Sequence, residues 1–140
     1  MEEFNSSLKF VDYYVDYVDF KLNNNFEDQS VKLNFDINRN IEYIEDGSNT
    51  MLVTLIVEIF KDAEKENYPF SMNVSITGHF ELNEISMEKR EVFAEVNAVA
   101  ILFPYIRSLI STFTANVNVA PLILPAINVV KLIEDKYNSA

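Results

Sequence analysis

Residues 88 to 114 read EKREVFAEVNAVAILFPYIRSLISTFT. Val92, Val96, Val99, Phe103, Ile106, Ile110 and Phe113 recur at spacings of 4, 3, 4, 3, 4 and 3. That is one face of an α-helix, because side chains three and four apart stack on the same side of the cylinder. A second line, Ala98, Leu102, Tyr105 and Leu109, runs beside the first. The first line predicts a face that covers a sheet. The second predicts a face that needs another partner, and self-association supplies one for so small a chain. Pro104 has no N–H to donate and predicts a kink within the helix.

Upstream the period changes to two, which marks strands. Val11, Tyr13, Val15 and Tyr17 alternate in a first run. Val31, Leu33, Phe35 and Ile37 oppose Lys32, Asn34 and Asp36 in a second. Met51, Val53, Leu55, Val57 and Ile59 form a third, and Phe70, Met72, Val74 and Ile76 a fourth. Polar links separate them, residues 45–49 and 62–67 among them, so the four strands predict an antiparallel sheet. Asparagines punctuate the chain at 23–25, 38–40 and 116–118, where their tolerance of left-handed backbone makes turns. An apolar loop, Val119 to Pro125, follows the long helix, and a short helix over about residues 126–137 ends the chain. The whole reads as one α+β domain over residues 1–140.

Composition removes most chemistry. Eleven basic against 22 acidic residues give a net charge of −11, which repels phosphate and predicts no nucleic acid partner. There is no cysteine, so disulfides, thiol catalysis and thiolate metal sites are excluded. Two glycines, Gly47 and Gly78, cannot write a phosphate-binding loop or a dinucleotide fingerprint. His79 is the single histidine and reads as structural or surface. Asp12, Asp16 and Asp19 would share one helix face, but on a strand Asp12 and Asp16 lie ~13 Å apart and cannot share an ion. No catalytic residue, metal site or cofactor is predicted. Glu88 to Glu91 reads as the charged surface of a helix start. Arg107, inside the apolar helix, has two readings, a snorkelling or ion-paired surface group and an interface or structural clamp. The longest apolar runs, Ala98 to Ile106 and Val119 to Ile127, are nine residues each, short of the ~20 that span a bilayer. With no signal-peptide pattern at Met1 to Asn5, the chain reads as soluble and cytoplasmic, without membrane insertion.

Ile101-Leu102-Phe103-Pro104-Tyr105 with Arg107, then Leu122-x-Leu124 and Asn128, resemble motifs of the SecB family of protein-export chaperones. Gly78-x-Phe80 is similar to the family's Gly-x-Phe at the end of its last strand. Departures are Val119-Ala120 in place of Phe-Pro, Pro125 one place early with Ala126 in its slot, and Val129 in place of the aromatic. The resemblance implies a four-stranded antiparallel sheet with a long helix and a short C-terminal helix packed on one side. It implies a homotetramer, a dimer of dimers, and ATP-independent binding of unfolded polypeptides, preproteins for export among them, in hydrophobic grooves. It extends to docking of the SecA translocation motor on an acidic sheet face, against which stand Asn73, where the family carries an acid, and the end of the chain at Ala140.

On this reading the groove is expected at Phe20 and Phe26 in and after the first strand, and at Leu122, Leu124, Val129 and Val130 in the apolar loop and last helix. The oligomer interface is expected at Ala98, Leu102, Tyr105 and Leu109, with Met72, Val74 and Ile76 of the fourth strand. Two alternatives stand beside it, a dedicated chaperone of one client such as an antitoxin, and a non-catalytic scaffold or small-ligand binder.

Overall fold

The computed structural model describes residues 8–83, 93–126 and 128–138. Four strands, β1 (Leu8–Leu22), β2 (Phe35–Ile44), β3 (Thr50–Ile59) and β4 (Phe70–Leu82), pair antiparallel in the order β1-β4-β3-β2. A single-turn helix, α1 (Ala63–Glu66), links β3 to β4. The long helix α2 (Glu95–Ala115) and the short α3 (Val129–Asn138) follow. Because β1 pairs with β4 while β2 holds the far edge, residues 23–34 must cross the end of the sheet. This crossover shapes the site described below.

β3 and β4 are the central strands, and their alternation is strict. Met51, Val53, Leu55, Val57 and Ile59 face the same side as Met72, Val74, Ile76 and Phe80, all fully buried. Met72, Val74 and Ile76 therefore form the chain's own core beneath α2, which corrects their expected place at an oligomer interface. The second strand also differs from the pattern. Val31 and Leu33 precede it, and Asn38, Arg39 and Asn40 lie within it, paired with Ile56, Leu55 and Thr54. An edge strand with one face toward water tolerates such polar residues, so the asparagines there do not break it. Elsewhere the asparagine reading holds. Asn49, Asn67 and Asn118 adopt left-handed backbone, as does Asp62.

Glycine is required at Gly78 by space rather than by turn geometry. A Cβ there would lie 2.6 Å from Leu102 Cδ2. The gap in β4 admits the Leu102 side chain, so α2 rotates to place Ala98, Leu102 and Ile106 on the sheet, together with Val99, Phe103 and Ile110. Ala98 and Leu102 are therefore buried within the chain itself, and the expectation that their line faces a second copy is corrected for these two. Tyr105 remains 41% exposed and Leu109 half-buried. Pro104 and Ala100, whose carbonyl loses its helical donor, both lie on the exposed side of α2. Residues 88–92, including the charged run at Glu88 to Glu91, lie outside the described residues.

The start of α2 is tied to β2. Buried Glu95 accepts from the Tyr43 hydroxyl and, at 3.4 Å, from Arg39 Nη1. α3 is capped by Asn128, whose side-chain oxygen accepts the Lys131 N–H at 3.0 Å. Lys136 then pairs with Asp36 of β2 at 2.7 Å. By length and composition α2 is also apolar enough to cross a membrane. Counting uninterrupted runs misses this, because Asn97, Ser108 and Ser111 interrupt the runs while only Glu95 and Arg107 are charged. In the fold its apolar stripe is laid against the sheet.

Candidate functional site

The crossover leaves a cleft of about 660 Å³ at the end of the sheet. Its floor is Phe60, where β3 ends, with Pro69 and Phe70, where β4 begins. One wall is the end of β1 and the crossover, contributing Leu22, Phe26, Val31 and Leu33. The other is the loop after α2, contributing Val119, Pro121 and Leu122. Polar groups, Asn23, Asn24, Asp28 and Gln29, are confined to the crossover side. A cleft of this size with apolar walls and a few polar groups is the usual form of a binding site.

Local chemistry shapes each part. Phe60 has φ 54, a left-handed conformation that costs an aromatic residue on the order of 1–3 kcal/mol. Ring packing offsets that strain. Phe60 stacks on Tyr68 at 4.7 Å and meets Phe70 edge-on at 5.1 Å. The crossover wall is pinned by side-chain amides. Asn23 is buried and donates to the carbonyls of Ala63 at 3.2 Å and Tyr68 at 2.9 Å. Asn67 accepts the Glu27 N–H at 3.0 Å and donates to the Glu27 carbonyl at 3.4 Å. The opposite wall hangs from α2. The Leu122 N–H donates to Thr114 Oγ1 at 2.8 Å, and Arg107 Nε donates to the Leu124 carbonyl at 2.6 Å. Arg107 is thus a structural clamp, one of its two readings.

Of the six residues expected in the groove, Phe26 and Leu122 line this cleft. Phe20 does not. Its ring sits against Phe70 at 5.1 Å and Phe113 at 5.6 Å, beside the floor. Leu124 and Val129 are buried in the core. Alternate spacing predicts that Leu122 and Leu124 point one way, but Leu124, whose carbonyl Arg107 holds, is buried while Leu122 lines the cleft. Val130 lines a second hollow of about 330 Å³ with Phe103, Pro104 and Arg107, outside the cleft. Sequence patterning missed Val31 and Leu33 because period two assigned them to a strand. It missed Phe60 and Phe70 because both sit inside strand-like runs. The signal available was Phe60 itself, an aromatic immediately before the polar link.

The other sheet face carries the carboxylates. Asp16 accepts from Ser75 Oγ and Thr77 Oγ1, each at 2.8 Å. Asp12 faces His79 Nδ1 at 3.8 Å, and Asp19 pairs in register with Asn73. Each carboxylate has its own neighbour, and among the described residues no three His, Asp or Glu side chains converge as a metal site. β1 is an edge strand, and Val11, Tyr13, Tyr14, Val15 and Tyr17 are all exposed along it. Tyr13 packs on Tyr105 at 4.7 Å, joining this edge to the exposed side of α2.

Residues 4–140 match the family described as preprotein translocase subunit SecB. The chain belongs to the SecB family. An uncharacterized protein of Methanocaldococcus jannaschii is 40% identical over 124 residues, covering 88% of this chain and 80% of that relative. The Mycobacterium tuberculosis SecB-like chaperone Rv1957, in complex with a ChAD peptide from the Rv1956 HigA1 antitoxin, superposes with a TM-score of 0.68. It shares 11% identity, with 90% of this chain and 91% of that one covered, which establishes a common fold. The SecB-like architecture of one sheet with a long and a short helix is therefore present.

Proposed function

We propose that this SecB family member is an ATP-independent chaperone that holds nonnative polypeptides, export precursors among them, in the cleft between the crossover and the loop after α2. The observation that carries the reading is the cleft itself. Eight larger apolar side chains, two prolines and an alanine, set on three separate chain segments, face a volume of about 660 Å³. A folded monomer gains nothing by leaving such a surface uncovered. Extended chain of any apolar sequence can be buried there at ~25 cal/mol/Å², without a chemical step. The net charge of −11 favours basic clients through faster encounter. Cytoplasmic placement accords with this role. A SecA contact has weaker support, since Asn73 stands where the family's acid is expected.

The assembly is a homotetramer, a dimer of dimers, in this reading. The exposed aromatic edge of β1 supports it, because an uncovered apolar edge strand templates aggregation. Tyr105 and Leu109 on the outer side of α2 extend the same surface. The dedicated-chaperone alternative has one specific support, that the SecB-like relative of common fold is complexed with an antitoxin peptide.

The test is suppression of aggregation of a chemically unfolded protein diluted into buffer without nucleotide. Parent protein should keep it soluble, and Leu122→Glu should not. Suppression only on addition of ATP, or equal suppression by Leu122→Glu, would remove this reading. Binding of one antitoxin segment alone, with no activity toward unfolded proteins at large, would favour the dedicated alternative.

A further inference from the structure

The crossover wall has little secondary structure to hold it. Among the described residues, its main-chain bonds to the rest of the chain are those of Asn23 N–H to Pro69 at 3.0 Å and of Asn34 carbonyl from Phe60 N–H at 2.9 Å. Between these ends Val31 and Leu33 pack against the core, and side-chain amides tie the stretch before them to the β3–β4 link. Asn23 does most of this. Its Nδ2 spends both hydrogens on carbonyls 40 and 45 residues away, Ala63 and Tyr68, at either end of α1. Its Oδ1 accepts the Asn25 N–H at 3.0 Å and its carbonyl accepts the Phe26 N–H at 3.2 Å, folding the turn that aims Phe26 at the cleft. Every polar atom of this buried side chain is satisfied. The amide is therefore a joint between two loops, one of which carries the floor residues Phe60 and Pro69.

We propose that Asn23 is a positioning residue of the client cleft, whose amide holds the crossover wall at the distance from the floor that admits an extended apolar segment. Asn67, bonded to both main-chain groups of Glu27, is a second and more exposed pin for the same wall. The inference rests on the proposed client site and adds what sets its width. With the wall pinned, a client meets a formed cleft and does not have to order 12 residues of crossover as it binds. A carboxylate cannot replace this amide. Asn23→Asp keeps the acceptor that serves Asn25 but turns two donors into acceptors facing two carbonyl oxygens, so it breaks the joint and spares the local turn.

The experiment measures binding of a fluorescent, unstructured peptide bearing Leu and Phe among Lys to the full-length chain, by anisotropy. Asn23→Asp should bind the peptide at least tenfold more weakly at neutral pH, while remaining folded with the parent's oligomeric state. Asn67→Ala should weaken it by a smaller factor. On acidification the introduced carboxyl, buried beside Leu22 and Ala63 with Lys21, Asp62, Glu64, Lys65 and Asp28 around it, regains a proton to donate. The deficit relative to parent should then narrow as pH falls, and thermal melts at each pH, showing Asn23→Asp folded throughout, separate this from a loss of stability, which would follow the same protonation. Leu122→Glu is measured alongside. If Leu122→Glu binds as the parent does, the cleft reading fails and this proposal with it. If Leu122→Glu is impaired but Asn23→Asp binds normally, or its deficit ignores pH, the positioning role alone is overturned. If Asn23→Asp unfolds and Asn67→Ala binds like the parent, the amides serve the fold and the proposal is likewise overturned.

Discussion

Arg107 Nε donates to the main-chain carbonyl of Leu124 at 2.6 Å, tying the middle of α2 to the loop that returns beside it. Leu124, held by this bond, is core, while Leu122, two places earlier and bonded through its N–H to Thr114, lines the cleft. Arg107→Met keeps the apolar stem and removes the directed donor. It should cost about 1.5–3 kcal/mol, the worth of a hydrogen bond from a charged group. Calorimetry should show a melting temperature lower by about 5–10 °C. Arg107→Lys should not recover it fully, because a lysine cannot reproduce the fixed geometry of the guanidinium N–H.

Gly78 and Leu102 are coupled by space. Gly78→Ala should destabilise by about 1–3 kcal/mol through overpacking. In a chain that already carries Leu102→Ala the same substitution should cost less, since Leu102 is gone while Phe80 Cε1, 2.8 Å from the same position, remains. A double-mutant cycle by urea denaturation should give a coupling energy of at least about 1 kcal/mol. Additive losses would mean that α2 does not sit on Gly78.

Leu122 and Val130 should behave differently although they lie eight residues apart in one apolar stretch. Leu122→Glu places a charge in the cleft and should weaken peptide binding more than about tenfold. Val130→Glu falls in the separate hollow beside Phe103 and Pro104 and should leave the affinity of the same peptide unchanged. Anisotropy titrations of the two variants check this directly.

The outer side of α2 should carry assembly. Tyr105→Glu with Leu109→Glu should shift the protein to a smaller species in sedimentation velocity without lowering its helix content. Tyr13→Glu, which removes the ring packed on Tyr105, should act in the same direction. A monomer for the parent protein at micromolar concentration would remove the oligomer from the proposed function.

The sequence by itself determined the elements. Period two at Met51 to Ile59 and at Phe70 to Ile76, and the 4-3 spacing, need only local backbone geometry, and the structure places strands there and a helix over the part of that spacing from Val96 to Phe113. Asparagine in left-handed backbone was legible for the same reason, since with two glycines the chain has few other residues able to turn. Two residues of the cleft were legible too. Phe26 is an aromatic just past an asparagine turn, and Leu122 belongs to an apolar loop, both anomalous without a binding role. Tertiary structure alone decided the rest. Which line of α2 faces the sheet depended on Gly78, 24 residues upstream, leaving room for Leu102. That Val31 and Leu33 form a wall and not a strand depended on β1 pairing with β4, which sends the chain across the sheet end. That Asn23 joins two loops depended on carbonyls at 63 and 68 coming within reach. Periodicity reports how a residue sits on its own element, whereas these features arise from contacts between residues far apart in the chain, and only the folded packing brings those together.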